Sequence, residues 1–207
     1  MKNSSPSNKP SIITVVGPIA AGKGTAADLL VQHGYAPFNY GDIIFEERTA
    51  RGLKEERKIS NAVGADLRLK FGNDIIAKRI AESIEQFRKQ EQNQKIVIDG
   101  LRHPEEVLWV KENLGAQVIG ITATPKVRYM RTLKRNRSVD PKSPQGFAEV
   151  DLGDRGVNSQ EHENQTDKCV NLADVIIENN TDDLQAYKKK IYDGLRQLGI
   201  FEGLNEA

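Results

Sequence analysis

Gly17-Pro18-Ile19-Ala20-Ala21-Gly22-Lys23-Gly24-Thr25 is the stretch that decides how the rest of the chain folds. It follows Ile12-Ile13-Thr14-Val15-Val16, a β-branched run ending at a glycine, which is how a strand buried on both faces reads. After it, Ala26, Leu29, Leu30 and His33 recur near helical spacing, and Gly34 supplies a C-terminal stop. Strand, glycine loop and helix therefore come in order, and the two glycines and the lysine stand at the spacing of a phosphate-binding loop. Gly17 permits the tight backbone path. The amides of Ala20, Ala21, Gly22, Lys23, Gly24 and Thr25 are expected to point at phosphate oxygens, where the helix adds its positive end. Lys23 adds a full charge near the β- and γ-phosphates.

Outward from this loop the alternation continues. Residues 36–40 read as a second short strand, and Asp42 as the cap of a helix through Ile43 and Ile44 toward Arg51. Over residues 57–89, Leu67, Phe71, Ile75, Ile76, Ile80, Ile84 and Phe87 recur at three- and four-residue intervals, with Gly64 and Gly72 as punctuation. That spacing predicts two helices. Residues 95–98, 117–123 and 174–178 supply three more strands. Pro104 opens one helix, Pro125 a basic one, and Thr181 is the expected cap of the last. Such alternation predicts a three-layer α/β fold with a five-stranded, mainly parallel sheet. Ligands bind these sheets beyond the carboxyl ends of the strands, where Gly17, Asp42, Asp99 and Thr124 fall.

The 207 residues suit one domain, residues 11–207, and a net charge of +1 with 29% charged residues gives no global sign of a nucleic-acid or membrane partner. Residues 1–10 are polar, lack the apolar core of a signal peptide and are expected to have no fixed structure. No apolar run approaches the roughly 18 residues of a membrane span. Cys169 is the single cysteine, which excludes an intramolecular disulfide and fits a reducing, cytoplasmic setting. His33, His103 and His162 have no spaced partners that would build a metal site or a triad.

Gly24 stands where many phosphate loops place the Ser or Thr that touches magnesium. The Gly22-Lys23-Gly24-Thr25 arrangement, with Asn39-Tyr40-Gly41-Asp42-Ile43-Ile44 and Ile98-Asp99-Gly100-Leu101-Arg102, resembles the corresponding segments of adenylate kinases and related nucleoside monophosphate kinases. Residues 11 to about 195 are similar overall to an archaeal-type group of P-loop proteins related to adenylate kinase and dephospho-coenzyme A kinase. The resemblance implies a P-loop NTPase fold that uses ATP, with magnesium held largely through water and Thr25 on phosphate. It also implies a helical acceptor-binding insertion over about residues 42–90, with Asp42 and Arg102 at the acceptor. Arg102 read by itself is either a bidentate phosphate fork or a surface charge. Asp99, at a strand end, either orients the waters of a nucleotide-bound magnesium or caps the next turn; the nearby phosphate loop favours the metal role.

One departure stands out: adenylate kinases usually carry an arginine soon after the Gly-Asp pair, and this chain has Phe45 there, with Arg48 next. Arg68, Lys70, Lys78 and Arg79 are either replacements or solvated helix charges, the latter favoured for each. Arg128, Arg131, Lys134, Arg135 and Arg137 crowd one helix and its end, with Arg131 and Arg135 four apart on one face. By likeness Arg131 packs on the adenine and Arg135 contacts the transferring phosphates, which need such cations. A nucleic-acid patch is disfavoured, since only Tyr129 interleaves the cluster. Residues 136–159, rich in Pro, Gly, Asp and Ser, suit a mobile lid that excludes water, from which Arg155, positioned by Asp154, reaches the phosphates unless both are ordinary loop charges. Without four cysteines this segment holds no structural zinc. The function expected is ATP-dependent phosphoryl transfer to a nucleoside or deoxynucleoside monophosphate, with dephospho-coenzyme A as an alternative acceptor and slow regulatory ATP hydrolysis as an alternative activity. Small nucleotides are the expected partners.

Overall fold

The computed structural model describes residues 12–91 and 95–200, so the expectation for residues 1–10 lies outside the described residues. β1 (Ile12–Val16) is buried at every position and lies at the centre of a five-stranded sheet. β2 (Ala36–Asn39), β3 (Ile96–Asp99), β4 (Gln117–Thr122) and β5 (Val175–Glu178) complete it in the order β2-β3-β1-β4-β5, all neighbours parallel. The register pairs Val15 with Asp99 on one side and with Ile119 on the other, which brings the ends of β1 and β3 level while β4 runs on to Thr122.

Alternate side chains of β1 feed two cores, because successive residues of a strand point to opposite faces. Ile13 and Val15 pack with α1 (Lys23–Gln32) through Leu29 and Leu30, and with α9 (Leu184–Gln197) through Ile191 and Leu195. Ile12 and Val16 face the other layer, where α2 (Tyr40–Ala50), α3 (Arg57–Phe71), α4 (Ile75–Gln90) and α5 (Pro104–Leu114) bury Ile44, Leu67, Ile80 and Val107. Two-sided cover is what makes the continuous apolar run of β1 readable as a central strand.

Helix starts differ from expectation at two places. Asn39, not Asp42, caps α2, accepting the Gly41 amide at 2.5 Å; Asp42 lies within the first turn. Asp183, not Thr181, caps α9, accepting the amides of Gln185 and Ala186, while the Thr181 hydroxyl accepts from the Asp183 amide. In both cases a second residue able to cap lies two or three positions away, and the sequence alone does not rank the two.

After α6 (Pro125–Arg135) the expected lid segment contains a helix of its own, α7 (Pro144–Arg155), capped by Ser143. Phe147, Asp151 and Asp154 of α7 are buried. A short α8 (Thr166–Asn171), too brief to show periodicity in sequence, follows it.

Arg68, among the insertion charges read as solvated, is instead fully buried. Its Nε donates to Glu106 Oε1 at 2.9 Å, and Nη1 reaches the His162 carbonyl at 3.2 Å. Burial works against the Arg68 charge, yet the Glu106 carboxylate holds its pKa above the usual value. Glu106 Oε2 meanwhile accepts the amides of Arg102 and His103, so the pair ties α3 and α5 to the turn that carries Arg102. Removing one partner of a buried pair strands the other. Glu106→Ala should therefore lower stability by about 3–5 kcal/mol, and the Arg68→Met/Glu106→Leu double variant should cost less than the two single changes summed. Urea denaturation of the four proteins measures both.

Candidate active site

The loop between β1 and α1 is shaped by what stands behind it. Gly17 has φ 148°, and a Cβ there would lie 2.1 Å from the Ile121 carbonyl oxygen of β4. Gly22 has φ 118°, and a Cβ there would lie 2.4 Å from Asn179 Nδ2. Both backbone shapes and both close approaches require glycine. At Gly24, by contrast, a Cβ meets nothing within 4 Å.

The loop carbonyls are tied from the rear. Ala21 O accepts from Asn179 at 2.8 Å and from Arg131 at 3.3 Å, and Gly22 O accepts the Tyr187 hydroxyl at 3.0 Å. The Ile19 amide donates to Asp154 of α7 at 3.1 Å. The N-terminus of α1 has no side-chain cap and no acidic residue in its first turn. First-turn amides have no partner within a helix, so this end faces the cleft with its positive potential uncompensated.

That cleft has a volume of about 640 Å³ and is lined by the loop, Asp28, the residues following β2 and β3, and arginines from α6. Ala20, Gly22, Lys23, Gly24, Thr25, Asp99, Arg102, Arg131 and Arg135 all line it. Gly17 and Ala21 lie behind, shaping the loop rather than its surface. Lys23 Nζ donates to the carbonyls of Gly17 and Pro18 at 2.8 and 3.1 Å, and burial pulls its pKa down. Asp99 shows the opposite sign: burial pushes its carboxyl up, more than the charges of Lys23 and Arg102 pull it down. Asp99 Oδ1 is buried without a hydrogen-bond partner. A buried acceptor of that kind, beside open space at Gly24, fits a hydrated divalent cation carried by phosphates.

The arginines are held by carboxylates or, for Arg131, by amide and carbonyl oxygens. Arg135 makes a two-pronged contact with Asp140 at 2.6 and 2.7 Å, and Arg57 reaches the same carboxylate at 3.0 Å. Arg131 donates to Asn179 Oδ1 at 3.1 Å and to the Thr181 carbonyl at 2.6 Å. Arg102 pairs with Asp154 at 3.2 Å and lies over the Tyr40 ring at 4.9 Å. A second cleft of about 380 Å³, lined among others by Asp42, Phe45 and Arg48, shares Tyr40, Gly41, Arg57 and Arg102 with the first.

Arg155 is not brought to this cleft. It pairs with Asp167 at 2.9 Å and lines a separate depression beside Pro18 and Thr122. Asp154 partners Arg102 and not Arg155, because neighbouring residues on a helix point about 100° apart. Arg128 of the basic cluster is also withdrawn, buried in a two-pronged contact with Asp151. Arg57 and Asp28 also line the cleft, and neither carries a motif in the sequence. Arg57 entered only as the first residue of a helical pattern, and its spacing carried no signal of its place in the cleft.

Residues 16–146 match the family model described as an AAA domain. A UPF0200 protein of Methanosarcina barkeri is 31% identical over 186 residues, covering 89% of this chain and 94% of that protein. The chain belongs to the UPF0200 family. A second UPF0200 protein, from Thermococcus sibiricus, is 29% identical over 192 residues, covering 91% of this chain and 96% of its own length. Solved structures share the UPF0200 fold at low identity. TT1252 of Thermus thermophilus superposes with a TM-score of 0.60 at 17% identity, covering 92% of this chain and 99% of its own. A shikimate kinase from Bacteroides thetaiotaomicron does so with 0.53 at 11%, covering 92% and 99%. These likenesses concern the fold. No helix among the described residues is long and apolar enough to cross a membrane.

Asp99 supplies a stability test. Its folded pKa lies above the unfolded one, so ionised Asp99 destabilises the fold at pH values above both, and the penalty vanishes below the unfolded pKa. Asp99→Asn should raise Tm without nucleotide, by most near neutral pH and by progressively less as pH falls toward about 4. Thermal unfolding across that range measures the trend; a lowered Tm at neutral pH would contradict it.

Proposed function

We propose that this UPF0200 protein transfers the γ-phosphoryl group of ATP to a nucleoside or deoxynucleoside monophosphate. The observation that carries the reading is the wall shared by the two clefts. Arg57 and Arg102 line both the cleft beneath the phosphate loop and the smaller one beside α2. A donor in the first and an acceptor in the second would meet across two fixed guanidinium groups.

In this scheme the amides of the loop and the first turn of α1 hold the donor phosphates, and Lys23 exchanges its loop carbonyls for phosphate oxygens. Magnesium, bound with ATP, would neutralise phosphate charge, and Asp99 with its unpartnered oxygen would hold the ion's waters. An acceptor oxygen attacks the γ-phosphorus in line as the bond to the β,γ-bridging oxygen breaks, with no covalent enzyme intermediate. Arg102, Arg57, Arg131 and Arg135 stabilise the charge spread over the equatorial oxygens. Asp42 lines the acceptor cleft. Catalysis then consists of positioning and charge stabilisation, which explains why the cleft is rich in arginine.

The segment over residues 136–159 serves in this reading as the cover of the donor cleft. Its Asp140 clasps Arg135 and Arg57, and its Asp154 bonds the loop amide of Ile19. Closing these contacts around ATP would keep water, the competing acceptor, away from the γ-phosphate.

Incubation with ATP and magnesium against a panel of ribo- and deoxynucleoside monophosphates and dephospho-coenzyme A, with products resolved by mass, tests the proposal. ADP should appear in step with one nucleoside diphosphate, and Lys23→Ala should lower the rate by at least about 100-fold. ADP formation at the same rate with and without every acceptor would replace the kinase reading with that of an ATPase.

A further inference from the structure

Three arginines are buried in the described chain, and one of them lacks a partner. Arg68 is paired with Glu106, and Arg128 with Asp151. Arg48, 6% exposed, makes no ion pair or side-chain hydrogen bond among the described residues, and its Nε is a buried donor without an acceptor. A guanidinium cannot shed its charge at ordinary pH, and leaving it buried and unpaired is unfavourable.

Among the described residues no acidic side chain around it, Asp42 of the same cleft included, forms a salt bridge with it. Glu47, its neighbour on α2, is engaged by Arg51 and Arg79. Glu55 and Glu56 line the same cleft, yet neither forms a salt bridge with Arg48. What touches Arg48 is the Phe45 ring, one turn earlier, with its centroid 5.5 Å from the guanidinium carbon. Phe45 is itself 57% exposed at the mouth of the second cleft. A cation over an aromatic face is stabilised by the ring without using its N–H donors, which stay available to an anionic acceptor.

We infer that Arg48 is an anion-recognising residue of the second cleft, taking two oxygens of a carboxylate or phosphate monoester on the acceptor. The assignment rests on the second cleft being the acceptor site, as proposed above. Arg48 lines this cleft alone, whereas Arg57 and Arg102 line both. The oxygens it holds are therefore those that do not attack, and those facing Arg57 and Arg102 are on the reacting side. Ser60 and Asn61 give the same cleft uncharged polar contacts, and Phe45 gives a flat apolar surface for a ring.

The test uses the full chain with its phosphate loop filled by a non-hydrolysable ATP analogue and magnesium, so that added anions do not report on the loop. Nucleoside monophosphates, inorganic phosphate and gluconate are titrated separately, followed by thermal shift and calorimetry. At least one should bind the wild type, and Arg48→Gln should weaken it by on the order of 10- to 100-fold, with Arg48→Lys between, because lysine loses the bidentate fork. Affinity for the ATP analogue should stay within about twofold in both variants. Without any ligand, Arg48→Met should raise Tm, since it removes an unpaired buried charge; a purely structural arginine would lower it. Weakened gluconate or phosphate binding in Arg48→Gln, without turnover of any monophosphate, would sink the nucleotide assignment and leave this inference standing. Unchanged anion binding in Arg48→Gln, no anion binding by the wild type, or an equal loss of the ATP analogue would overturn it.

Discussion

The carbonyl oxygen of Ile121 occupies the place where any side chain at residue 17 would stand. That single steric fact fixes the chain's exit from β1 and makes the loop fold back across the end of β4. From there Asn179, Tyr187 and Arg131 hold the outer carbonyls, and α1 begins at the depth that exposes its first turn to the cleft. The parallel register of β1 and β3 sets Asp99 beside the end of β1, and Asp99 and the first turn of α1 line the same cleft. Cleft, helix dipole and carboxylate are thus consequences of one strand end with no room for a Cβ.

The charges around the cleft are arranged so that cations outnumber their local partners. Asp140 alone serves Arg135 and Arg57; burial works against its charge, but these two arginines hold its carboxyl below the usual range. Asp154 serves Arg102 and the Ile19 amide together. Arg137 lines the cleft as well, with no side-chain partner among the described residues. A net charge of +1 over the whole chain conceals this local excess, because the balancing carboxylates lie on outer helix faces, as in the pairs of Asp66 with Lys70 and Asp74 with Lys78. Whole-chain charge therefore excludes a broad polyanion surface without bearing on a small polyanionic ligand.

The parts of this architecture legible in sequence are those with local causes. β1, the loop and α1 follow from β-branched residues, glycines and spacing within about 20 positions, and the strands of the sheet likewise announce themselves as short apolar runs. What was not legible depends on partners far along the chain. An arginine looks the same whether it meets solvent, a buried glutamate or nothing, so Arg68 reads as a surface charge and Arg128 as one more member of a basic cluster. α7 is masked by the glycine, proline and acidic residues that suggest a loop; its place is set by Asp151 and Asp154 meeting Arg128 and Arg102 across distances in sequence of 23 and 52 residues. The same helix geometry turns Arg155 toward Asp167 and away from the cleft.

The signs of the perturbed groups bear on what the cleft is built to receive. Burial lowers the pKa of Lys23 and of Arg57, so each is short of negative charge. Burial raises that of Asp99, which is short of positive charge. A simple anion would relieve the first two and aggravate the third, and a bare cation would do the reverse. A ligand that brought anionic oxygens and a cation together would relieve all three, with the anion toward Lys23 and Arg57 and the cation toward Asp99. A metal–polyphosphate has that distribution of charge.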